Sequence, residues 1–354
     1  MKNLLSRALA CAAFVGLIVP FAAEAYDKMY VFGDSLSDSG NAFHLVPPPA
    51  FPPPPNNQRN SNGLVAVEYL AQQLGVALLP STTAGGTNYA VSGAMTGQRT
   101  SVYPLPPSPG GVVVTTENYA DPVYNSLFNT QVLRTGTSLL SQVTQFALSS
   151  PSFAPSSSLF VVWAGANDFF FDPQASTVVT SVTNIANSIG ALVASGARQF
   201  LVPGLPDLSL TPAIRDLDAS FPGAGIGAGY QALSLGFNQA LLATLPALEG
   251  LAPGVDITYF DTSAALLGVI ADPAALGLTN VSDACLVWGP QGIASLCANP
   301  DEYLFWDQVH PSDRVAMELG RQFAVAVPEP ESLTMLALGL ILLTTSRLRL
   351  RARA

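Results

Sequence analysis

Two short segments near opposite ends of the chain carry residues that together could perform nucleophilic catalysis. The first follows an apolar run, reads Gly-Asp-Ser-Leu and contains Ser35. The second reads Asp-Gln-Val-His and places Asp307 three residues before His310. A serine hydroxyl attacks a carbonyl carbon when a base removes its proton, and an imidazole held by a carboxylate is such a base. The spacing therefore predicts Ser35 as nucleophile, His310 as general base and Asp307 as the carboxylate that orients it.

The position of Ser35 in the sequence favours this role. The apolar run Met29–Phe32 is typical of a parallel strand, and Gly33 permits a tight turn after it. Ser35 is then expected at the carboxyl edge of a sheet, where open α/β folds keep their chemistry. It is also expected at the start of a helix, whose free N–H groups favour negative charge. The other histidine, His44, lies next to a proline-rich stretch and is expected at the surface or at the rim of a cleft.

The elements that must position these residues alternate along the chain. Short apolar runs recur with helix-like segments between them, which predicts an α/β fold: a three-layer αβα sandwich with a central five-stranded parallel sheet. The predicted strands are Met29–Phe32, Thr87–Val91, Leu159–Trp163, Phe200–Val202 and Ile257–Phe260. The predicted helices are Val65–Leu74, Thr177–Ser195, Tyr230–Leu248 and Arg314–Val325.

Two stretches have no clean periodicity. Pro47–Pro55 is proline-rich and is therefore excluded from a sheet interior, and Ser101–Asn129 is rich in Pro, Gly, Thr and Tyr. Both follow predicted active-site turns. They are interpreted either as walls of a substrate cleft or as tolerated surface insertions.

Four sequence blocks together carry a family resemblance. They are, in chain order, Gly33–Leu36, Asn88–Ala94, Gly165–Asp168 and Asp307–His310. In this order they resemble the blocks of the GDSL, or SGNH, hydrolase family, over nearly the whole span from about residue 28 to 325. Val202–Asp207 and Phe305–Asp307 are further similar to its secreted phospholipase/lecithinase-like branch. The resemblance implies a flavodoxin-like sandwich and hydrolysis of ester bonds.

The resemblance also implies donors for an oxyanion hole. These are the backbone N–H groups of Ser35 and Gly93 and the side-chain amide of Asn167. A glycine leaves space for an approaching substrate, and a neutral amide donates without being titrated. Family members often carry two glycines in the second block, whereas this chain has Ser92 before Gly93. The donor role is therefore assigned to the second residue of the pair.

Other residues in these segments have alternative interpretations. The stretch around Ser234 loosely resembles a lipase nucleophile elbow, which needs a strand before it and a helix after it. It falls inside the predicted helix Tyr230–Leu248, so core packing explains it better. Asp34 and Asp38 are expected to be solvated or to cap a turn or helix, and Asp168 to cap a helix or turn.

The N-terminal segment is interpreted as a signal peptide covering residues 1–25. Lys2 and Arg7 precede an uncharged apolar stretch, Ala8–Ala23. Ala23–Ala25 then gives the small-x-small pattern of a signal-peptidase site. The mature protein is expected to begin at Tyr26, with a hydrolase domain over residues 26–327.

The C-terminal segment, residues 328–354, resembles the PEP-CTERM sorting signal of Gram-negative bacteria. A Pro-Glu-Pro motif at Pro328–Pro330 precedes an uncharged stretch, Ser332–Ser346, and an arginine-rich end. The resemblance implies export, transient contact with the inner membrane, processing by an exosortase and delivery to the cell surface or outside. A plain C-terminal anchor is the alternative, although these 15 residues are short against the ~20 of a comfortable membrane helix.

Charge and cysteine content narrow the possible partners. The chain has a formal net charge of −10; residues 1–25 contribute +1 and residues 328–354 contribute +2, which leaves −13 for residues 26–327. Such an acidic surface argues against nucleic acid and anionic lipid headgroups as partners.

Cys285 and Cys297, separated by a short loop in an exported chain, are predicted to form a disulfide that steadies the loop carrying Asp307 and His310. No ligand set nearby predicts a metal site.

These observations predict a secreted serine esterase or lipase that forms an acyl-enzyme on Ser35 and needs no cofactor. Its expected partners are an acyl-ester or lipid substrate and, during export, signal peptidase and an exosortase. Three alternatives remain: a carbohydrate O-deacetylase acting on surface polysaccharide, an acyltransferase, and a non-catalytic surface or matrix protein.

Overall fold

Four parallel strands form the central sheet. The structure is a computed structural model that describes residues 26–45, 55–97, 123–125, 130–133, 136–289 and 292–327. The predicted signal peptide and sorting signal lie outside these residues. So do the predicted loops Pro47–Pro55 and Ser101–Asn129, apart from Pro55 and residues 123–125.

The strands and helices alternate along most of the chain. The strands are β1 (Lys28–Gly33), β2 (Val123–Asn125), β3 (Thr130–Leu133), β4 (Ser158–Trp163), β5 (Gln199–Pro203), β6 (Asp256–Phe260), β7 (Asn280–Ala284), β8 (Leu286–Gly289), β9 (Gly292–Leu296) and β10 (Tyr303–Phe305). The helices are α1 (Asn41–Leu45), α2 (Ala66–Leu74), α3 (Leu139–Ser149), α4 (Ala166–Phe171), α5 (Ala175–Ala194), α6 (Pro212–Ser220), α7 (Ile226–Glu249), α8 (Thr262–Ala271) and α9 (Asp313–Ala326).

The central sheet has the order β1-β4-β5-β6, and all of its pairings are parallel. Its register brings the carboxyl ends together, since Gly33 lies opposite Trp163 and Pro203 lies opposite Phe260. The α/β class and these four strands agree with the sequence prediction. Parallel strands that are covered on both faces are apolar throughout, which made their runs recognisable in the sequence.

The prediction of a fifth strand over Thr87–Val91 is wrong. The segment does run beside β1, where the Tyr89 N–H donates to the Val31 carbonyl at 2.7 Å and the Val91 N–H donates to the Gly33 carbonyl at 3.1 Å. On its other side it meets an irregular turn at Pro80, and Asn88 makes only isolated bridges. Proline has no N–H to donate to a ladder, so this edge does not continue as a regular strand.

Alternate residues of each strand enter two apolar cores, one on each face of the sheet. Tyr30 and Phe32 of β1 contact the core covered by α3, α5 and α7, whereas Met29 and Val31 contact the core covered by α2, α8 and α9. This period of two follows from the alternation of side chains along a strand. The sheet with helices on both faces is the predicted three-layer arrangement.

The α5 helix is long and apolar, but it belongs to the first of these cores. Among the described residues it is the one helix with the length (20 residues) and mean hydropathy (1.3) to cross a membrane. Ile185, Ile189 and Leu192 are buried against the sheet core. These contacts account for its apolar composition.

A disulfide-linked region leads into the segment that carries His310. Cys285 and Cys297 form the predicted disulfide, with their Cα atoms 4.8 Å apart, and enclose the β8–β9 hairpin. The Cys285 N–H donates to the Phe305 carbonyl at 3.1 Å, and the Leu286 N–H donates to the Trp306 carbonyl at 2.7 Å. The backbone at the start of the disulfide-linked loop is thus hydrogen-bonded to the two residues that precede Asp307.

We expect the double variant Cys285→Ala/Cys297→Ala to be less stable by about 3 kcal/mol, because a disulfide that closes a loop of this length removes entropy from the unfolded chain. The change in the free energy of unfolding is measured by guanidinium titration of the variant and of wild type under non-reducing conditions. Since the bridge lies beside the Asp307 segment, the ester hydrolysis that the sequence predicts should fall as well. Unchanged melting together with unchanged turnover would show that the bridge does not steady this segment.

Candidate active site

The structure joins Ser35, His310 and Asp307 in one hydrogen-bonded chain. Ser35 Oγ lies 2.7 Å from His310 Nε2, although the two residues are 275 positions apart in the sequence. His310 Nδ1 lies 2.8 Å from both carboxylate oxygens of Asp307. Ser35 and His310 are each 8% exposed, so the pair is shielded while remaining reachable. The geometry allows the imidazole to take the hydroxyl proton while the carboxylate holds the ring.

A close approach of two strands places Ser35. Gly33 ends β1 so near the Trp163 carbonyl oxygen of β4 that a side chain on Gly33 would overlap it, so glycine is required there. The Gln142 amide accepts from the Gly33 N–H at 2.8 Å and donates to the Gly33 carbonyl at 2.7 Å. Sequence reasoning missed Gln142, because α3, which carries it, was not predicted.

Ser35 does not begin a helix, contrary to the prediction. The N–H groups of Ser37 and Asp38 both donate to the Asp34 carbonyl at 3.0 Å, which forms a single turn. The α1 helix begins only at Asn41. The turn stops because Asp38 caps the next helix: its Oδ1 accepts from the Asn41 N–H at 2.6 Å.

The turn from Asp307 to His310 is built by the acid itself. Asp307 Oδ1 accepts from the N–H groups of Val309 at 3.0 Å and of His310 at 2.9 Å, as in an Asx turn. The Trp306 N–H donates to the His310 carbonyl at 2.8 Å, which closes the segment. A spacing of three residues therefore brings the carboxylate within hydrogen-bond distance of His310 Nδ1.

The implied oxyanion donors belong to connected segments. The Ala94 N–H donates to the Val91 carbonyl at 3.0 Å, and Gly93 has φ +81°, the conformation of the third residue in a type II turn. The Asn167 amide donates to the Ala94 carbonyl at 2.9 Å. Among the described residues, no acceptor is bonded to the N–H of Ser35 or of Gly93. Both groups are thus free to bind an oxyanion.

The other serine and the other histidine that the sequence analysis considered do not join the hydrogen-bonded chain of Ser35, His310 and Asp307. Ser234 lies inside α7, is 2% exposed and donates to the Tyr230 carbonyl at 2.9 Å, as a core residue of a helix does. His44 is exposed, and its Nδ1 lies 2.9 Å from Thr82 Oγ1. The interpretation of Ser234 as a packing residue and of His44 as a surface residue is confirmed.

Three carboxylates near Ser35 are buried rather than solvated. Capping was one of the two roles predicted for Asp38, and Asp38 does cap α1. The prediction that Asp168 caps a helix or turn is wrong. The Asp168 carboxylate leaves its own helix and accepts from the Thr96 N–H at 2.9 Å and the Thr96 hydroxyl at 2.6 Å. Burial raises the pKa of Asp38 and of Asp168, and hydrogen bonds from Gly40 and Ser92 to Asp38 and from Thr96 to Asp168 oppose that rise.

Asp34 accepts fewer hydrogen bonds than the other two carboxyl groups. It is 1% exposed; one oxygen accepts from the Leu36 N–H at 3.0 Å, and Oδ2 is buried without a partner among the described residues. Burial raises the pKa of Asp34 to about 7; the negative charges of Asp168 and Asp38 add to the rise, and the Leu36 bond and His310 oppose it. An oxygen that no donor approaches leaves the negative charge of Asp34 unstabilised, which agrees with the raised pKa.

Comparison with known proteins places the chain among GDSL-type proteins. A family model described as GDSL-like Lipase/Acylhydrolase matches residues 29–323. A GDSL esterase/lipase of Arabidopsis thaliana is 28% identical over 333 residues, with 83% of each chain covered. Lipase 1 of Photorhabdus luminescens is 32% identical over 207 residues, covering 57% of this chain and 26% of that protein. A crystal structure from Veillonella parvula, a member of the lipolytic G-D-S-L family, aligns over 84% of this chain and 96% of that one, at 11% identity and a TM-score of 0.40.

The raised pKa of Asp34 predicts a specific dependence of stability on pH. Between the unfolded value of 3.8 and the folded value of about 7, the native state holds a proton that the unfolded state has lost. The stability that wild type gains from this proton is therefore present at pH 4 and lost as the pH rises to 7. Asp34→Asn has no such group, so its free energy of unfolding relative to wild type should rise by about 4 kcal/mol from pH 4 to pH 8.

Urea titrations of both proteins at intervals between pH 4 and pH 8 measure this difference. Asparagine keeps the oxygen that accepts from the Leu36 N–H, so the local turn is retained. A difference that stays constant with pH would show that Asp34 is ionised throughout this range.

Proposed function

Because this chain belongs to the GDSL-like lipase/acylhydrolase family and is therefore an ester-bond hydrolase, we propose that it cleaves carboxylic acyl esters through an acyl-enzyme on Ser35. The observation that carries this proposal is the uninterrupted chain of hydrogen bonds from Ser35 Oγ through His310 to Asp307. These three residues are the nucleophile, the general base and the orienting acid.

The first half of the reaction transfers the acyl group to the enzyme. Ser35 Oγ attacks the ester carbonyl carbon while its proton passes to His310 Nε2, and Asp307 accepts a hydrogen bond from the Nδ1–H of the resulting imidazolium. The tetrahedral intermediate collapses, the bond to the alcohol oxygen breaks, and His310 returns the proton to that oxygen. A positioned base of this kind contributes about 10²- to 10⁴-fold to the rate.

The negative charge of the intermediate needs donors that are already in place. We assign this role to the N–H groups of Ser35 and Gly93 and to the Asn167 amide, because the two N–H groups are free and Asn167 is bonded to the Gly93 turn. One amide hydrogen of Asn167 binds Ala94, which leaves the other for the oxyanion. The loss of one such donor costs about 10²- to 10³-fold in rate.

The second half releases the acid. A water molecule gives a proton to His310 Nε2 and attacks the acyl carbon, and the second tetrahedral intermediate is held by the same donors. Its collapse breaks the bond to Ser35 Oγ, which recovers the proton from His310. The products are the carboxylic acid and free enzyme, so no cofactor enters this reaction.

We further propose a lipid or small-alcohol acyl ester as the substrate class and export of the protein as its setting. Support for the first comes from the two segments that resemble the phospholipase/lecithinase-like branch, Val202–Asp207 and Phe305–Asp307. Support for the second comes from the N-terminal signal pattern and the C-terminal PEP-CTERM resemblance. Hydrolysis of a series of p-nitrophenyl esters of graded chain length, compared with phosphatidylcholine and acetylated xylan, tests the substrate class.

We expect Ser35→Ala to abolish hydrolysis of a short p-nitrophenyl ester, with a loss of at least about 10³-fold, because the attacking oxygen is removed. Ser234→Ala is the matched control, since it removes a buried serine hydroxyl that belongs to the core of α7. A fluorophosphonate probe should label wild type and Ser234→Ala at Ser35 and leave Ser35→Ala unlabelled. Full turnover by Ser35→Ala would refute the acyl-enzyme assignment.

The export proposal predicts two cleavages. The intact mass of the protein recovered from the medium or the cell surface should correspond to a chain that begins at Tyr26 and ends near the Pro328–Pro330 motif. Recovery of residues 328–354 in the mature protein would favour a plain anchor.

A further inference from the structure

Two buried carboxylates hold the loop Ser92–Thr96 from its opposite ends. At one end, Asp38 Oδ2 accepts from the Ser92 N–H at 2.8 Å and the Ser92 hydroxyl at 2.9 Å. At the other end, Asp168 accepts from the Thr96 N–H at 2.9 Å and the Thr96 hydroxyl at 2.6 Å. Each carboxylate accepts one hydrogen bond from the backbone N–H and one from the hydroxyl of the residue that it binds. The loop is therefore fixed at both of its ends.

Both carboxylates lie in segments that carry another proposed oxyanion donor. Asp38 follows Ser35 by three residues in the turn after β1, and Asp168 directly follows Asn167 in α4. The loop between them carries the third donor, Gly93. The bonds from Asp38 and Asp168 thus link the three segments whose donors must converge on one oxygen atom.

The Asp38 end controls the direction of the Gly93 N–H. In a type II turn the peptide between the second and third residues is flipped by about 180° relative to a type I turn. The Gly93 N–H belongs to this peptide, and Gly93 has φ +81°, which the type II form requires. Ser92 is the second residue of the turn, and Asp38 holds both its N–H and its side chain. A turn that changed type would reverse the direction of the Gly93 N–H.

The Asp168 end holds the same loop against Asn167. The Asn167 amide donates to the Ala94 carbonyl at 2.9 Å, two residues before Thr96. Ser181 of α5 donates to Asp168 at 3.1 Å, and the Asn184 amide donates to Thr96 Oγ1 at 3.1 Å. Asp168 is 5% exposed and Asp38 is fully buried, so water does not compete for these bonds.

We propose that Asp38 and Asp168 are positioning residues that clamp the Ser92–Thr96 loop, and so fix the Gly93 N–H and the Asn167 amide for an oxyanion beside Ser35. The inference rests on the proposed acyl-enzyme chemistry. It gives Ser92 a role as well: where family members often carry glycine, the serine hydroxyl here adds a bond to Asp38. Donors fixed before the reaction stabilise the transition state more than the bound ester, so the clamp should act on kcat.

The test removes the hydroxyl bonds and leaves both carboxylates in place. Ser92→Ala deletes the hydroxyl, whose one hydrogen lies between Asp38 Oδ2 and Asn60 Oδ1 at 2.9 Å each, without disturbing the cap of α1. Thr96→Val deletes the 2.6 Å bond to Asp168 at nearly constant shape. Ser209→Ala is the matched control, since it deletes a 2.6 Å hydroxyl bond to another buried carboxylate, Asp207, outside the loop. The double variant Ser92→Ala/Thr96→Val loosens both ends of the loop.

Turnover of a short p-nitrophenyl ester is measured per active site, with the sites counted by complete reaction with a fluorophosphonate. We expect kcat per site to fall about 10-fold in each single loop variant and about 100-fold in the double variant, approaching the loss of one whole donor. KM should stay within about 2-fold of wild type. The inhibition constant of a trifluoromethyl ketone, whose adduct carries an oxyanion, should rise by the same factors, while Ser209→Ala changes neither value.

The outcomes separate this inference from the proposed function. If the loop variants match Ser209→Ala in kcat per site and in inhibition by the ketone, the clamp is wrong while the acyl-enzyme on Ser35 stands. If the fluorophosphonate labels wild type at a residue other than Ser35, the proposed function fails and the clamp fails with it. A loss that appears only as fewer titratable sites would show a folding role and would also overturn the clamp.

Discussion

The 2.7 Å contact between Ser35 Oγ and His310 Nε2 sets the main constraint on this fold, because it joins residues 275 positions apart. Ser35 is placed by β1 at the edge of the regular sheet, whereas His310 belongs to the segment between β10 and α9. Both must be held to within a fraction of an ångström. The close approach of Gly33 to β4, the Asx turn at Asp307 and the disulfide-linked region before it provide that rigidity from two separate directions.

Negative charge is buried beside Ser35. Asp34, Asp38 and Asp168 are all nearly inaccessible, in a domain that carries a formal net charge of −13. Buried carboxylates are costly unless donors surround them, and Asp38 and Asp168 bind backbone N–H and hydroxyl groups from several segments. Burial raises the pKa of all three groups, and Asp34 has no donor on one of its oxygens to oppose that rise. The buried carboxylates of Asp38 and Asp168 thus hold together the loops at the edge of the sheet.

Much of the fold could be predicted from local patterns. The apolar runs of β1, β4, β5 and β6 are continuous because both faces of the sheet are covered, and the four predicted helices have clear apolar faces. The Thr87–Val91 segment looked similar, but its outer edge meets Pro80 and not a strand. The α3 helix was missed, and with it Gln142, since its sequence includes Ser and Thr residues, which are weak helix formers.

Residue types and their spacing were enough to recognise the four blocks and the likeness to a family of ester hydrolases, and to predict Ser35, Asp307 and His310 as reacting groups, because a residue type and its spacing specify the chemistry that a group can perform. Which groups meet became known from the packing of the folded chain. No local pattern shows that Asp168 turns from its own helix to Thr96, or that Asp38 reaches Ser92. Such contacts depend on how distant segments pack at one edge of the sheet, and their geometry is set by the whole chain.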